Sequence, residues 1–268
     1  MKKRILRYLM VLALCLTLLS AAALAAGPHS HTLCSHLESC PDPAHETAHS
    51  AEVVFEKELT EELLASNRDA LPSGAYYLSG ALFPEDRIRI TGTVTICLNG
   101  KKIESQKATE PVFLIEGGGT LTLTDCVGTG TVTHASGVTG CGVQVNGSTF
   151  NLYGGKITGN KANYNYGGGV YVYSSGTNSA FNMYGGEISG NTVTNGGGVY
   201  VKSGTFTMSG GEISGNTVTY GGGGVYVANG NFTVSGTAVI ENNKGANSAD
   251  NNVCLPGQTI AIGTDIPY

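Results

Sequence analysis

Apolar and polar residues alternate with a period of two along most of the chain after residue 75, which is the spacing of β-strands. The alternating units repeat. Gly-Gly-Glu-Ile-Ser-Gly-Asn occurs identically at 185–191 and 210–216, and Gly-Gly-Gly-Val-Tyr-Val begins at 167, 196 and 222. Repeats of 25 to 31 residues that contain short strands are typical of the coils of a β-solenoid. The sequence therefore predicts an all-β fold, a right-handed parallel β-helix of roughly seven coils over residues 76–268.

Equivalent residues of successive units predict ladders of similar side chains that stack from coil to coil. The expected core ladders are Phe150, Phe181, Phe206 and Phe232; Leu152, Met183, Met208 and Val234; Ile157, Ile188, Ile213 and Val239; and Val170, Val199 and Val225. An asparagine also recurs, at Asn160, Asn191, Asn216 and Asn242. We expect these four amides to form an internal or corner ladder with hydrogen bonds from coil to coil.

The first residues have the pattern of a secretory signal peptide, with basic residues before an apolar run and the small residues Ala23 and Ala25 at its end. The predicted order is a signal peptide (1–25), a Cys/His-rich leader (26–50), a linker with an N-terminal cap (51–75), and the β-helix. In the cap, Thr60 precedes two acids and predicts the N-cap of a short helix that covers the open sheet edge. The chain is expected to be secreted or loosely attached to the cell surface, with no membrane span after signal cleavage.

Charge and composition narrow the range of partners. Signal cleavage takes away four of the 15 basic residues and none of the 20 acidic ones, which leaves a formal charge of −9. An acidic chain is a poor partner for nucleic acid or anionic lipid. Forty glycines, no tryptophan and 13% charged residues also favour a repeat structure over an ordinary globular domain.

The repeat "GGGVYV…GTFTMSGGEISGN", preceded by "GTVTICLNGKKI" and "GGGTLTLTDC", resembles the adhesin-like right-handed β-helix proteins on the surface of Gram-positive gut anaerobes. The resemblance covers about residues 75–262. A looser resemblance extends to the repeats of polymorphic outer-membrane proteins. These likenesses imply the fold and a surface location. Together with the lack of a recognisable catalytic cluster, they favour a secreted or surface module that is not an enzyme and that adheres to a polysaccharide or to a host or bacterial surface protein. Two alternatives remain open, a polysaccharide lyase or hydrolase with an unrecognised site and a structural spacer of a larger surface protein.

Tyr171, Tyr200 and Tyr226 occupy the same place in consecutive units, between inward valines. We expect an outward ladder on one face of the solenoid. Tyrosine rings along a flat sheet can stack on the faces of sugars, so the three residues are a candidate glycan-binding site. The alternative is that similar residues stack only to stabilise the sheet.

A candidate metal site lies in the leader, where imidazole and thiol groups gather as in zinc sites; its residues are His29, His31, Cys34, His36 and Cys40. Their spacing matches no zinc-finger pattern, and a small disulfide-closed loop or a disordered leader would account for them equally. No other cofactor is predicted.

The sequence offers no convincing catalytic residues. Between Cys141 and Gly245 the only acids are Glu187, Glu212 and Glu241. Glu187 and Glu212 share one repeat position and should stack one coil apart, a spacing that could serve a retaining glycosidase. Repetition alone explains the pair, so no catalytic residue is assigned.

Overall fold

The computed structural model of the protein describes residues 28–34, 50–162, 167–174, 176 and 178–263. Three parallel sheets run along a solenoid of six complete turns, with a partial turn at each end. The prediction of an all-β parallel β-helix is confirmed, and its length is close to the roughly seven coils expected. The predicted signal peptide lies outside the described residues.

The described chain contains one short helix, α1 (Glu61–Ser66), and a 3-10 turn at Ala246–Ser248. In chain order the strands are β1 (His29–Cys34), β2 (Ser50–Phe55), β3 (Lys57–Glu58), β4 (Gly74–Tyr77), β5 (Ile88–Ile90), β6 (Thr93–Cys97), β7 (Lys102–Ser105), β8 (Phe113–Ile115), β9 (Thr120–Thr124), β10 (Thr131–His134), β11 (Val143–Asn146), β12 (Thr149–Leu152), β13 (Lys156–Thr158), β14 (Val170–Tyr173), β15 (Ala180–Met183), β16 (Glu187–Ser189), β17 (Thr192–Val193), β18 (Val199–Val201), β19 (Gly204–Met208), β20 (Glu212–Ser214), β21 (Thr217–Val218), β22 (Val225–Val227), β23 (Gly230–Val234), β24 (Val239–Glu241), β25 (Val253–Cys254) and β26 (Ile260–Ile262).

Each turn contributes one strand to each of the three sheets. Sheet 1 has the order β3-β4-β6-β9-β12-β15-β19-β23-β26, sheet 2 has β7-β10-β13-β16-β20-β24, and sheet 3 has β5-β8-β11-β14-β18-β22-β25. Strands β17 and β21 form a small parallel pair at a corner, and β1 pairs antiparallel with β2. Within the described ranges, no helix has the length and apolar character needed to cross a bilayer.

Pairing within the sheets places equivalent residues of neighbouring repeats side by side. Phe150 pairs with Phe181, Phe181 with Phe206, and Phe206 with Phe232. Their rings stack with centroids 4.8 to 5.0 Å apart and planes within 12° of parallel, and all four are buried. The predicted phenylalanine ladder is therefore confirmed, and it forms the centre of the core.

In the last turn, two of the predicted ladders end on a different residue from the one predicted. Val239 pairs with Glu212 and is 42% exposed, whereas Ile240 pairs with Ile213 and takes the inward place assigned to Val239. The corner before β24 contains one more residue than the earlier corners, and a shift of one residue turns every side chain of a strand to the opposite face.

The same shift moves the last asparagine of the amide ladder from Asn242 to Asn243. Asn243 is fully buried, and Asn242 sits where the other turns have Gly159, Gly190 and Gly215. Asn242 has a positive φ of 56°, close to the 62° to 68° of those glycines, and asparagine tolerates this left-handed conformation better than most residues.

Buried amides connect four successive turns. Asn160 donates its side-chain N–H to Asn191 Oδ1 at 3.1 Å, Asn191 to Asn216 Oδ1 at 2.9 Å, and Asn216 to Asn243 Oδ1 at 2.9 Å. The same amide groups also donate to backbone carbonyls of the preceding turn, for example Asn191 to Ile157 O at 3.0 Å. The predicted internal ladder is confirmed with Asn243 in place of Asn242.

The predicted N-terminal cap is also confirmed. Thr60 Oγ1 accepts a hydrogen bond from Leu63 N at 3.1 Å and begins helix α1, which has two acids in its first turn. Leu59 is buried, and Leu63 and Leu64 pack against the solenoid core. The helix thus lies over the apolar interior at the first turns.

The amide ladder should contribute strongly to stability. Asn191→Ala would remove the four side-chain hydrogen bonds of Asn191 with Asn160, Ile157 and Asn216 and leave buried partners unsatisfied. We expect the free energy of unfolding, measured by urea denaturation, to fall by about 3 kcal/mol or more. The matched control is Asn182→Ala in the same turn, whose half-buried amide donates one hydrogen bond to Asn151, and which should cost less than about 1 kcal/mol. Equal losses for the two variants would contradict the structural role of the ladder.

Candidate functional site

The three candidate tyrosines form one ladder on the outer face of sheet 3. Tyr171 pairs with Tyr200 and Tyr200 with Tyr226, in strands β14, β18 and β22. Their ring centroids are 5.4 Å and 5.2 Å apart. The valines on either side of each tyrosine point into the core and are fully buried. The structure therefore brings together the residues that the repeat pattern aligned.

Exposure differs along this tyrosine ladder. Tyr171 is only 2% exposed, and the ring of Tyr173 stacks on it at 4.8 Å. The hydroxyl of Tyr173 accepts a hydrogen bond from Gln144 Nε2 at 3.0 Å. Tyr200 and Tyr226 are half-buried. Within the ladder, these two rings are the ones that present surface to a ligand.

Burial, and secondly the neighbouring Tyr226, raises the pKa of Tyr200. The hydroxyl of Tyr200 therefore stays protonated at neutral pH and can donate a hydrogen bond.

A glycine corner lies directly against the two accessible rings. A Cβ at Gly196 would stand 2.6 Å from the Cβ of Tyr200, and one at Gly221 would stand 2.8 Å from a ring carbon of Tyr226. Both glycines have positive φ, so larger residues are excluded by backbone conformation as well as by space. Because Gly196 and Gly221 have no side chains, the corner places no bulky group between itself and the two tyrosines.

Tyr220 adds an aromatic ring that the sequence analysis missed. It immediately precedes Gly221 and is 67% exposed. Its backbone is fixed by a hydrogen bond from Tyr220 N to Thr194 O at 2.8 Å. The unit before it has Asn195 at the equivalent position, so Tyr220 is not part of an unbroken ladder; the tyrosine before a run of four glycines was the available indication.

The outer face of sheet 3 continues toward the N-terminal end of the solenoid. The register runs from Tyr171 through Gln144 and Leu114 to Arg89. At Arg89 the face meets a groove of about 610 Å³ between helix α1 and residues 83–89. Arg87 and Arg89 form ion pairs with Glu110 and Glu116.

The paired carboxylates lie on sheet 2 in the predicted register, with Glu187 beside Glu212. Lys156 Nζ contacts Glu187 at 2.6 Å, and Ser189 donates to the same carboxylate at 2.5 Å. Partial burial favours the neutral acid, but these hydrogen bonds and the charge of Lys156 outweigh it and lower the pKa of Glu187. A general acid of a glycosidase needs a raised pKa, so the Glu187 environment is that of an ion pair.

The predicted metal site is only partly described. His29 is described in full, the side chains of His31 and Cys34 are not, and His36 and Cys40 lie outside the described residues. His29 lies next to residues outside the leader. Its Nε2 lies 3.8 Å from Cys126 Sγ, and Cys126 Sγ lies 3.5 Å from Cys97 Sγ. No pattern in the sequence associates these two cysteines with His29.

The two cysteines have different surroundings. Cys97 is fully buried, and burial raises the pKa of its thiol to about 12, whereas Cys126 is exposed. A second buried thiol, Cys141, also has its pKa raised by burial to about 12.

Comparisons with known protein families, with curated proteins and with solved structures gave no match.

Thiol reactivity should follow these differences in burial. In the folded chain with EDTA present, we expect Cys126 to react with iodoacetamide faster than Cys97 and Cys141, by a factor on the order of a hundred or more. The reason is that the thiolate is the nucleophile and that buried thiols react only after local opening of the structure. Peptide mapping by mass spectrometry measures the rates residue by residue. The urea-unfolded chain is the control, and there the three rates should converge. Equal rates for Cys97 and Cys126 in the folded chain would contradict the described packing.

Proposed function

We propose that the protein is a non-enzymatic module of the cell exterior that binds polysaccharide along the outer face of sheet 3. The observation that carries this proposal is the in-register tyrosine ladder, in which the half-buried rings of Tyr200 and Tyr226 lie 5.2 Å apart. The exposed Tyr220 precedes Gly221, the glycine that packs against Tyr226. Aromatic rings with a polar hydroxyl suit sugars, because the ring stacks on C–H faces and the hydroxyl makes hydrogen bonds. Export rests on the signal-peptide pattern of residues 1–25.

The direction of the ladder favours an extended glycan chain over a single sugar. Successive tyrosines follow the axis of the solenoid, one per turn, and the same face continues through Gln144 to Arg89. A glycan chain lying along the axis would contact several turns at once. The formal charge of −9 on the exported chain disfavours polyanionic glycans, so the expected ligand class is a neutral polysaccharide.

The residues of this face support binding and not hydrolysis. At the ladder positions that the structure describes, the side chains are those of Arg89, Leu114, Gln144, Tyr171, Tyr200, Tyr226 and Cys254. None is a carboxylate, whereas a typical glycosidase needs two that flank the bond to be cleaved. At the N-terminal end of the face, Glu110 and Glu116 form ion pairs with Arg87 and Arg89, and the acids of sheet 2 lie on a different face.

The experiment measures binding of the purified full-length chain to neutral plant, mucin and bacterial-wall polysaccharides by calorimetry. The test variant is Tyr200→Ala/Tyr226→Ala. We expect it to weaken binding at least about tenfold, equivalent to about 1.4 kcal/mol, because the accessible stacking surface is lost. Tyr171→Phe should bind as the unsubstituted chain does, since Tyr171 is almost completely buried.

The matched control is Tyr153→Ala/Tyr184→Ala. These two rings also stack between neighbouring turns, with centroids 4.6 Å apart, but they follow strands of sheet 1. This variant should retain full affinity. Equal loss of affinity in both double variants, or no binding to any polysaccharide, would contradict the proposal, and the appearance of shortened glycan products would favour the enzyme alternative.

A further inference from the structure

We propose that His29, Cys97 and Cys126 form a binding site for a thiolate-preferring divalent cation of the Zn²⁺ class. Their three ligand atoms all lie within 4.8 Å of one another. One imidazole and two thiolates form a ligand set that zinc uses in proteins, with a water molecule or substrate in the fourth position. This site is independent of glycan binding, because it lies on sheet 1 and shares no residue with the tyrosine ladder.

Two of the three ligand separations are close to those of a tetrahedral zinc site. Zinc bonds of about 2.3 Å to sulfur and about 2.05 Å to nitrogen place two sulfurs about 3.8 Å apart and a sulfur and a nitrogen about 3.6 Å apart. The measured separations are 3.5 Å between the sulfurs of Cys97 and Cys126, and 3.8 Å between Cys126 Sγ and His29 Nε2. Two of the three ligand separations thus agree with the ideal values within about 0.3 Å. The third pair, Cys97 Sγ and the ligating nitrogen of His29, lies within 4.8 Å.

Rigid elements hold all three ligands. Cys97 ends strand β6, and Cys126 follows strand β9 one turn further along the solenoid. The ring of His29 stacks on Phe55 at 5.3 Å and meets Tyr77 edge-on at 5.8 Å. A site whose ligands are already positioned binds metal without a large ordering cost.

The fourth position is accessible to solvent on the side of Cys126, which is exposed. Asn99 Oδ1 lies 3.6 Å from Cys126 Sγ, and its amide nitrogen donates to Leu78 O at 2.9 Å, which fixes the orientation of the amide. A water molecule in the fourth position can donate a hydrogen bond to that amide oxygen. Calcium and magnesium prefer oxygen ligands, so the two sulfurs select against them.

A bound cation would join parts of the chain that are far apart in sequence. His29 and Cys126 are separated by 97 residues. The β1–β2 pair packs on the outer face of sheet 1, where Phe55, Tyr77 and Cys97 form a small buried cluster. The metal would therefore fasten this N-terminal pair of strands to two successive turns, and the binding free energy would add to the stability of the folded state.

The test is a cobalt titration of the purified full-length chain, reduced with a phosphine and kept free of oxygen. We expect one Co²⁺ per chain, with a thiolate-to-cobalt charge-transfer band and the visible bands of tetrahedral cobalt, all lost when Zn²⁺ is added. Cys126→Ser should abolish the charge-transfer band at the same cobalt concentration, and His29→Ala should weaken binding at least tenfold. Cys126 is exposed, so its replacement leaves the fold intact, which circular dichroism checks.

Two controls separate this site from other thiols. Cys254→Ser removes a thiol of sheet 3, and His31→Ala/Cys34→Ser/His36→Ala/Cys40→Ser removes the remaining candidate ligands of the leader. Both variants should bind cobalt as the unsubstituted chain does, and Zn²⁺ should raise the melting temperature of both but not that of Cys126→Ser.

Four results would overturn the proposal: no charge-transfer band in the reduced chain, an unchanged band in Cys126→Ser, loss of the band in the leader variant, or a Cys97–Cys126 disulfide in the chain recovered after secretion. The last is the competing fate of two neighbouring thiols outside the cytosol.

Discussion

The structure depends on one constraint, the parallel in-register pairing that places each residue beside its own equivalent in the next repeat. Strands one turn apart lie about 4.8 Å from each other, so a side chain has its own repeat copies as nearest neighbours. Phenylalanine can accept such a neighbour because rings stack, and asparagine can because an amide both donates and accepts. Like charges repeated in this way repel each other. On sheet 2 Glu187 lies beside Glu212, and Lys156, on the other side of Glu187, offsets the repulsion with an ion pair of 2.6 Å.

The same constraint explains how much of the fold could be predicted from the sequence. A repeat with fixed inward positions determines the ladders of Phe150 and Asn160 without any knowledge of long-range contacts. The prediction was wrong at Val239 and Asn242, because one additional corner residue before β24 shifts the strand by one position. Alternation alone cannot detect such a shift, since Val239 and Ile240 are both apolar. The left-handed conformation required after the strand was the better indicator, because glycine and asparagine share it.

The candidate sites were less predictable, because they depend on residues that do not repeat. The tyrosine ladder followed from the repeat, but Tyr171 also stacks on the ring of Tyr173, a residue that the next two units replace with Lys202 and Ala228. Tyr220 belongs to a single corner. The group of His29, Cys97 and Cys126 is created by the packing of an antiparallel pair of strands on the outside of the solenoid. Local patterns carry no information about that packing, so composition alone associated His29 with leader cysteines.

The buried amide ladder and the proposed binding face of sheet 3 meet at the same glycine corners. The ladder needs a donor at one end and an acceptor at the other. At one end, His134 Nδ1 forms a hydrogen bond of 2.7 Å with Asn160 Oδ1. At the other end, the side-chain N–H of Asn243 donates to Asn252 Oδ1 at 3.1 Å. Between these ends, the glycine that precedes each tyrosine strand packs on the amide of the next turn: a Cβ at Gly169 would stand 3.1 Å from Asn191 Nδ2, and one at Gly198 would stand 3.1 Å from Asn216 Nδ2. The amides therefore line the corner at which β14 and β18 begin. Tyr171 and Tyr200 follow two residues after those glycines, so the buried ladder and the proposed binding face share these corners, while strand pairing sets the spacing of the rings.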